Sequence, residues 1–235
     1  MNCVMLIFIL TPFIVTNGEI FMKCYCIETD DKFTYYAENV EPEYSKLLED
    51  DPWWKKEGDK FIKEYPGKID NSEIIKANFR KFGGLMFKNE GDWEKSLELF
   101  AEKCSAEKIK WYVTGSVSEA VLGVNIIPHD IDIIVSENDF YRIRDLFLEY
   151  LIEPFVNTNG WLVKFFGKIL IDGKMFDIAA DEKVFAYFND YDNIVWKKYE
   201  IKAEPLKKRY ETEIQRNRVE RIKKIKEFML ENSIN

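Results

Sequence analysis

Histidine is almost missing from this chain: His129 stands alone among 235 residues, and only four cysteines occur, Cys3, Cys24, Cys26 and Cys104. A Cys/His zinc centre is therefore excluded, because Cys24-Tyr25-Cys26 is too tightly spaced for a zinc knuckle and lacks partners. A disulfide framework is excluded too, and reduced thiols in a cytoplasm are expected. No apolar run approaches the roughly 20 residues that span a bilayer, so no membrane partner is expected. Val4 to Val15 comes nearest, but it is short and broken by Pro12. It has no basic flank and no small-residue cleavage site. Three readings stay open for it: a secretion signal, a buried strand, or a stretch upstream of a working start at Met22. Repeats and low-complexity tracts do not occur.

Excess positive charge is also lacking. A net charge of -8 and a pI near 5.0 exclude a protein whose main task is to coat nucleic acid, since Lys and Arg neutralisation of phosphate dominates that affinity. The charge is uneven, however: residues 197–226 carry 12 Lys and Arg against 5 Asp and Glu. With 46% hydrophobic and 15% aromatic residues, the chain can bury a sizeable core.

The most informative stretch runs from Trp111 to Val135. An apolar run, Trp111-Tyr112-Val113, meets Gly115-Ser116, passes through a short helical segment and ends in a second apolar run that carries Asp130 and Asp132. Residues i and i+2 of a strand share a face, so the two carboxylates project together. Like charges this close to an apolar core repel, and a divalent cation is the usual remedy. Oxygen ligands with room for substrate phosphates suit Mg2+. A glycine at a strand-to-helix turn lets backbone approach a ligand, and the following helix start favours an anion. A solvated edge strand with chance acids is the plain alternative for Asp130 and Asp132.

The order strand, Gly115-Ser116, helix, then Asp130-Ile131-Asp132 in an apolar strand resembles the nucleotidyltransferase superfamily that includes DNA polymerase beta. Within it, residues 108–180 look like the small adenylyltransferases that modify aminoglycosides and lincosamides. The resemblance implies an α+β fold, a mixed β-sheet flanked by helices, and a third carboxylate on a later strand. Asp177 is the natural third member: Asp172-Gly173 reads as a hairpin turn between extended segments, and Asp177 lies between Phe176 and Ile178.

By this resemblance Asp130, Asp132 and Asp177 are catalytic and hold Mg2+, two ions by expectation, while Gly115 and Ser116 bind the nucleotide. The implied reaction moves NMP, AMP from ATP, to a hydroxyl of a small molecule and releases pyrophosphate. The alternatives are an acceptor on a macromolecule, either a partner protein or an RNA end, and a binding module without catalysis. His129 is either a neighbour of the site or a loop residue without a chemical role. Two departures weaken the substrate reading: Gly115-Ser116 stands where the antibiotic-modifying enzymes have Gly-Gly, and no arginine occupies position 127 or 128.

The pattern divides the chain into an N-terminal extension (1–91), a nucleotidyltransferase core (92–182) and a C-terminal helical segment (183–235). Phe21 to Ile27 and Phe33 to Tyr36 predict a hairpin. Trp53-Trp54 favours core packing over stacking on a ligand. Helices are predicted over Glu73–Lys81, ended by Gly83-Gly84, after Gly91-Asp92, and over Phe140–Leu151. Arg142 and Arg144 are read as surface residues. Leu206, Tyr210, Ile214, Val219, Ile222 and Ile225 predict the apolar stripe of one long helix, with Lys207, Lys208, Arg209, Arg216 and Arg218 on its other face. That basic face is read as solvated, or as a surface closing over triphosphate or receiving an acidic acceptor.

Overall fold

A computed structural model describes residues 22–160 and 162–234. Val4 to Val15, Phe21 and Trp161 lie outside the described residues.

The chain opens with β1 (Lys23–Glu28), β2 (Lys32–Glu38), α1 (Pro42–Asp50), β3 (Lys55–Glu57) and β4 (Lys60–Pro66). These strands form an antiparallel sheet in the order β1-β2-β4-β3. Next come α2 (Ser72–Lys88), α3 (Trp93–Ala106), β5 (Trp111–Thr114), α4 (Gly115–Val121), β6 (Ile131–Val135), α5 (Glu137–Leu146), β7 (Leu151–Asn157), β8 (Phe165–Ile171) and β9 (Lys174–Ala180). The chain closes with α6 (Glu182–Phe185), β10 (Asn193–Trp196), β11 (Tyr199–Ala203), α7 (Leu206–Gln215) and α8 (Val219–Glu231). The second sheet has seven strands in the order β10-β11-β5-β6-β9-β8-β7. It is mixed: β11 with β5 and β6 with β9 run parallel, and the other pairs antiparallel. The architecture is thus α+β, a mixed sheet flanked by helices and followed by C-terminal helices, as expected from the sequence.

Apolar side chains of both sheets share one continuous core. Tyr35 packs edge-on against Phe79, Trp54 and Tyr65, so Trp54 is buried as expected, while Trp53 is 46% exposed. Phe100 of α3 stacks on Phe147 and Phe176 beneath the seven-stranded sheet. Among the described residues, no helix is long and apolar enough to cross a membrane.

Several elements depart from the sequence reading. α2 runs through Gly83-Gly84 to Lys88 instead of ending there. Gly83 serves close approach: a Cβ on it would lie 2.5 Å from Cys24 Cβ on β1. The hairpin β10–β11 extends the mixed sheet into the region expected to be purely helical. The predicted long C-terminal helix breaks into α7 and α8. At the break Asn217 is left-handed (φ 53°), Arg218 N–H bonds Glu213 C=O and Asn217 N–H bonds Ile214 C=O, which is the Schellman helix stop. β7 escaped notice because Pro154 disfavours an interior strand, and here it lies on an edge strand within the register shift between Glu153 and Val156.

The two adjacent glycines of α2 behave oppositely when replaced. Gly83→Ala drives a methyl group into Cys24 and costs about 1–3 kcal/mol. Gly84→Ala points into open space and stabilises by about 0.5–1 kcal/mol. Thermal unfolding checks both, at about 2–4 °C of Tm per kcal/mol for a chain of this size.

Candidate active site

The site begins as a row of polar residues laid across an otherwise apolar sheet. Thr114 on β5 stands opposite Asp132 on β6, Asp132 opposite Asp177 on β9, Asp177 opposite Lys168 on β8, and Lys168 opposite Glu153 on β7. Directly opposed residues share a sheet face, so five strands deliver one line of interacting groups. Asp130, just before β6, joins from the loop. Carboxylate oxygens of Asp130, Asp132 and Asp177 all lie within 4.8 Å of one another, and all three residues are half-buried. The strand pairing thus brings together the three carboxylates expected from the sequence. Asp177 arrives through the two-residue turn Asp172-Gly173, in which both residues have positive φ, the geometry of a tight hairpin.

Gly115 and Ser116 lie against the same carboxylates. Gly115 has φ 61°, and a Cβ on it would lie 1.9 Å from Asp132 Oδ2, so no other residue fits beside that carboxylate. Ser116 is 2% exposed, and its hydroxyl has no hydrogen-bond partner among the described residues. His129 lines the same cleft. Its backbone carbonyl accepts from Asn89 Nδ2 and, at 3.2 Å, from Lys174 Nζ, which also donates to Asn89 C=O at 2.7 Å. Asn89 and buried Lys174 therefore clamp the loop that carries Asp130. Neither had a recognisable signal in the sequence.

Lys168 was also missed. Its Nζ is 3.1 Å from Asp177 Oδ1 and 3.4 Å from Oδ2. Beyond it, fully buried Glu153 accepts from Lys63 Nζ at 2.7 Å and Tyr65 Oη at 2.9 Å, both on β4 of the N-terminal sheet. At the other end of the row Thr114 Oγ1 donates to Glu204, and Glu204 pairs with Arg209 at 3.3 Å. Arg209 is buried and also meets Glu119 (3.1 Å) and Glu213. One expected basic residue is thus a structural hub. Arg142 and Arg144 stay away from the site, paired with Asp139 and with Asp70 and Asp145.

Burial first, and neighbouring charge second, account for the titration of the site. Desolvation raises the Asp132 carboxyl well above its ordinary value of 3.8; Asp130 and Asp177 raise it further, against the pull of Arg209 and Lys168. Asp177 is raised for the same first reason, with Lys168 opposing and Asp130 adding. Burial alone would lower the pKa of Lys168, but Asp177 and Glu153 outweigh it and the amine is raised.

An oxygen-only donor set, converging carboxylates of which Asp177 is paired with Lys168, and a glycine that leaves room at Asp132 together fit a hard divalent cation such as Mg2+. A cleft of about 700 Å³ opens beside them, lined by Gly115, Ser116, Asp130 and Asp132 and by the α7–α8 turn.

Fold and site define an α+β protein with an acidic triad suited to a metal ion. No protein family profile matches the chain, and no curated protein matches it. The chain is similar to a solved protein from Thermotoga maritima described as a candidate nucleotidyltransferase, at 27% identity over 59% of this chain and 93% of that one, with a TM-score of 0.46. Overlap that loose carries neither fold nor function from one chain to the other.

The raised carboxyls make the metal-free protein pH-sensitive with a definite sign. A folded-state pKa above the unfolded value means the native state binds more protons, so stability falls as pH rises. The penalty is absent below about 3.8, grows above that value and is complete above the raised folded values. Asp132→Asn should therefore flatten this fall and raise the metal-free Tm at pH 7, as measured by unfolding in EDTA across pH 4–8. Gly115→Ala should lower Tm at every pH, because its methyl group displaces the Asp132 carboxylate.

Proposed function

We propose that this protein is a metal-dependent nucleotidyltransferase that transfers NMP, AMP from ATP, to a hydroxyl of a small molecule and releases pyrophosphate. One observation carries the assignment: the convergence of Asp130, Asp132 and Asp177 at a cleft that Asp130, Asp132 and the Gly115-Ser116 turn line. Three converging half-buried carboxylates, with the pKa values of Asp132 and Asp177 raised, serve no purpose in packing. A nucleotide-binding metal centre accounts for them and for the glycine that Asp132 requires.

Mg2+ held by the three carboxylates would supply Lewis-acid polarisation of the phosphate oxygens. The chain's own groups do the rest. Gly115 and the Ser116 hydroxyl receive the phosphates, the free hydroxyl acting as donor. Asp177 takes the proton of the acceptor hydroxyl as general base. The acceptor oxygen forms its bond to the α-phosphorus, the bond to the bridging oxygen breaks, and that oxygen leaves with pyrophosphate. Lys168 holds the Asp177 carboxylate in line and stands opposite Glu153, whose charge favours its ammonium form. Positioning and electrostatics dominate such transfers, which ask little covalent chemistry of the protein.

Pyrophosphate release from ATP is measured with a panel of polyhydroxylated and amino-sugar acceptors, and adduct mass is read on small molecules, proteins and RNA. A small-molecule adduct one AMP heavier is expected. Asp177→Asn should lose at least about a hundredfold in kcat, the scale seen when one preorganised electrostatic group is removed. An adduct on protein or RNA alone would move the acceptor to a macromolecule. Absence of pyrophosphate with every acceptor and nucleotide contradicts the assignment.

A further inference from the structure

The cleft lined by Gly115 and Ser116 is also lined by the turn between α7 and α8, and that turn is basic. Arg216, Arg218 and Arg221 line the cleft together with Asn217, Val219 and Glu220. The Schellman stop at Asn217 ends α7 there and lets α8, a helix of 13 residues, begin in the cleft. No side chain caps α8: its first helical bond at this end runs from Ile222 N–H to Arg218 C=O, and the earlier amides have no capping acceptor. Such a helix start favours an anion.

The three arginines are unequally committed. Arg221 is anchored to Glu213 at 3.4 Å and Glu119 at 3.8 Å, and Arg218 reaches Glu213 only at 3.6 Å. The Arg216 side chain has no ion pair or hydrogen bond among the described residues. Two of the three thus have donors to spare, and facing them is the buried, unpartnered hydroxyl of Ser116. Glu220 is the counter-charge that the turn itself brings to the lining.

We infer that the α7–α8 turn is the seat of the outer phosphates of the nucleotide, with Arg216, Arg218 and the amides of α8 on one wall and Ser116 on the other. This rests on the nucleotidyltransferase reading and deepens it. When the bond from the α-phosphorus to the bridging oxygen breaks, that oxygen keeps the electron pair. The pyrophosphate formed carries its new charge toward these arginines. Planar guanidinium groups suit phosphate through paired N–H donors. The carboxylates at the other side of the cleft then act on the α-phosphate.

Calorimetric titration with inorganic tripolyphosphate and with ATP, both with Mg2+, tests the inference on wild type, Arg216→Ala/Arg218→Ala, Arg216→Lys/Arg218→Lys and Asp132→Asn. The alanine pair should bind tripolyphosphate at least about tenfold more weakly, since each hydrogen bond to a charged group contributes about one tenfold step. The lysine pair should recover part of that loss. Both arginines are exposed, so the circular dichroism and Tm of the alanine pair should match wild type. Wild-type affinity in the alanine pair overturns the inference, and the function survives if ATP binding still falls in Asp132→Asn. Failure of the wild type to bind ATP at all overturns both.

Discussion

Three negative charges held in a half-buried sheet are the constraint around which this molecule is arranged. Desolvation and mutual repulsion both oppose ionisation of Asp132 and Asp177. The surroundings hold the carboxylates in place without cancelling them. Gly115 gives up its side chain for Asp132, Lys168 supplies one positive charge to Asp177, and Asn89 with Lys174 fixes the Asp130 loop through backbone carbonyls. A protein selected only for stability has no reason to keep such a cluster, since replacing buried charge with apolar groups is commonly neutral or favourable.

The same row of residues ties the parts of the chain together. At one end Glu153 receives Lys63 and Tyr65, so the N-terminal sheet braces the strand that orients Lys168. At the other end Thr114 leads through Glu204 to Arg209, whose buried pair with Glu119 docks α7 onto α4 while Glu213 of the same helix holds its guanidinium. Removing one partner of a buried pair costs about 3–5 kcal/mol. Both ends of the row are therefore stiff, while Arg216 and Arg218 keep side chains exposed over the cleft.

Much of this was legible in the sequence. Two aspartates two residues apart in an apolar run, a preceding Gly-Ser and a later Asp after an Asp-Gly turn are local patterns, and the fold brings the three carboxylates together beside the Gly-Ser turn. What escaped depends on partners far along the chain. Lys63 looks like a surface residue until Glu153, 90 positions later, neutralises it. Glu153 looks like a break in an apolar run, with Pro154 completing the disguise. Arg209 reads as one of many surface cations, because Glu204 and Glu213 are near it in sequence but Glu119, 90 positions earlier, is not. The break between α7 and α8 rests on Asn217 in a left-handed conformation, where the apolar stripe alone predicts one uninterrupted helix.

Unfolding followed with Mg2+ and a non-hydrolysable ATP analogue, on wild type and Asp132→Asn, tests the central claim most directly. Ligand at a hundred times its Kd should stabilise the native state by about 2.7 kcal/mol. Wild type should show a rise in Tm that needs Mg2+ and nucleotide together, and Asp132→Asn should show none. No shift in wild type with any nucleotide, or an equal shift in the variant, would contradict a metal-nucleotide centre at the carboxylates.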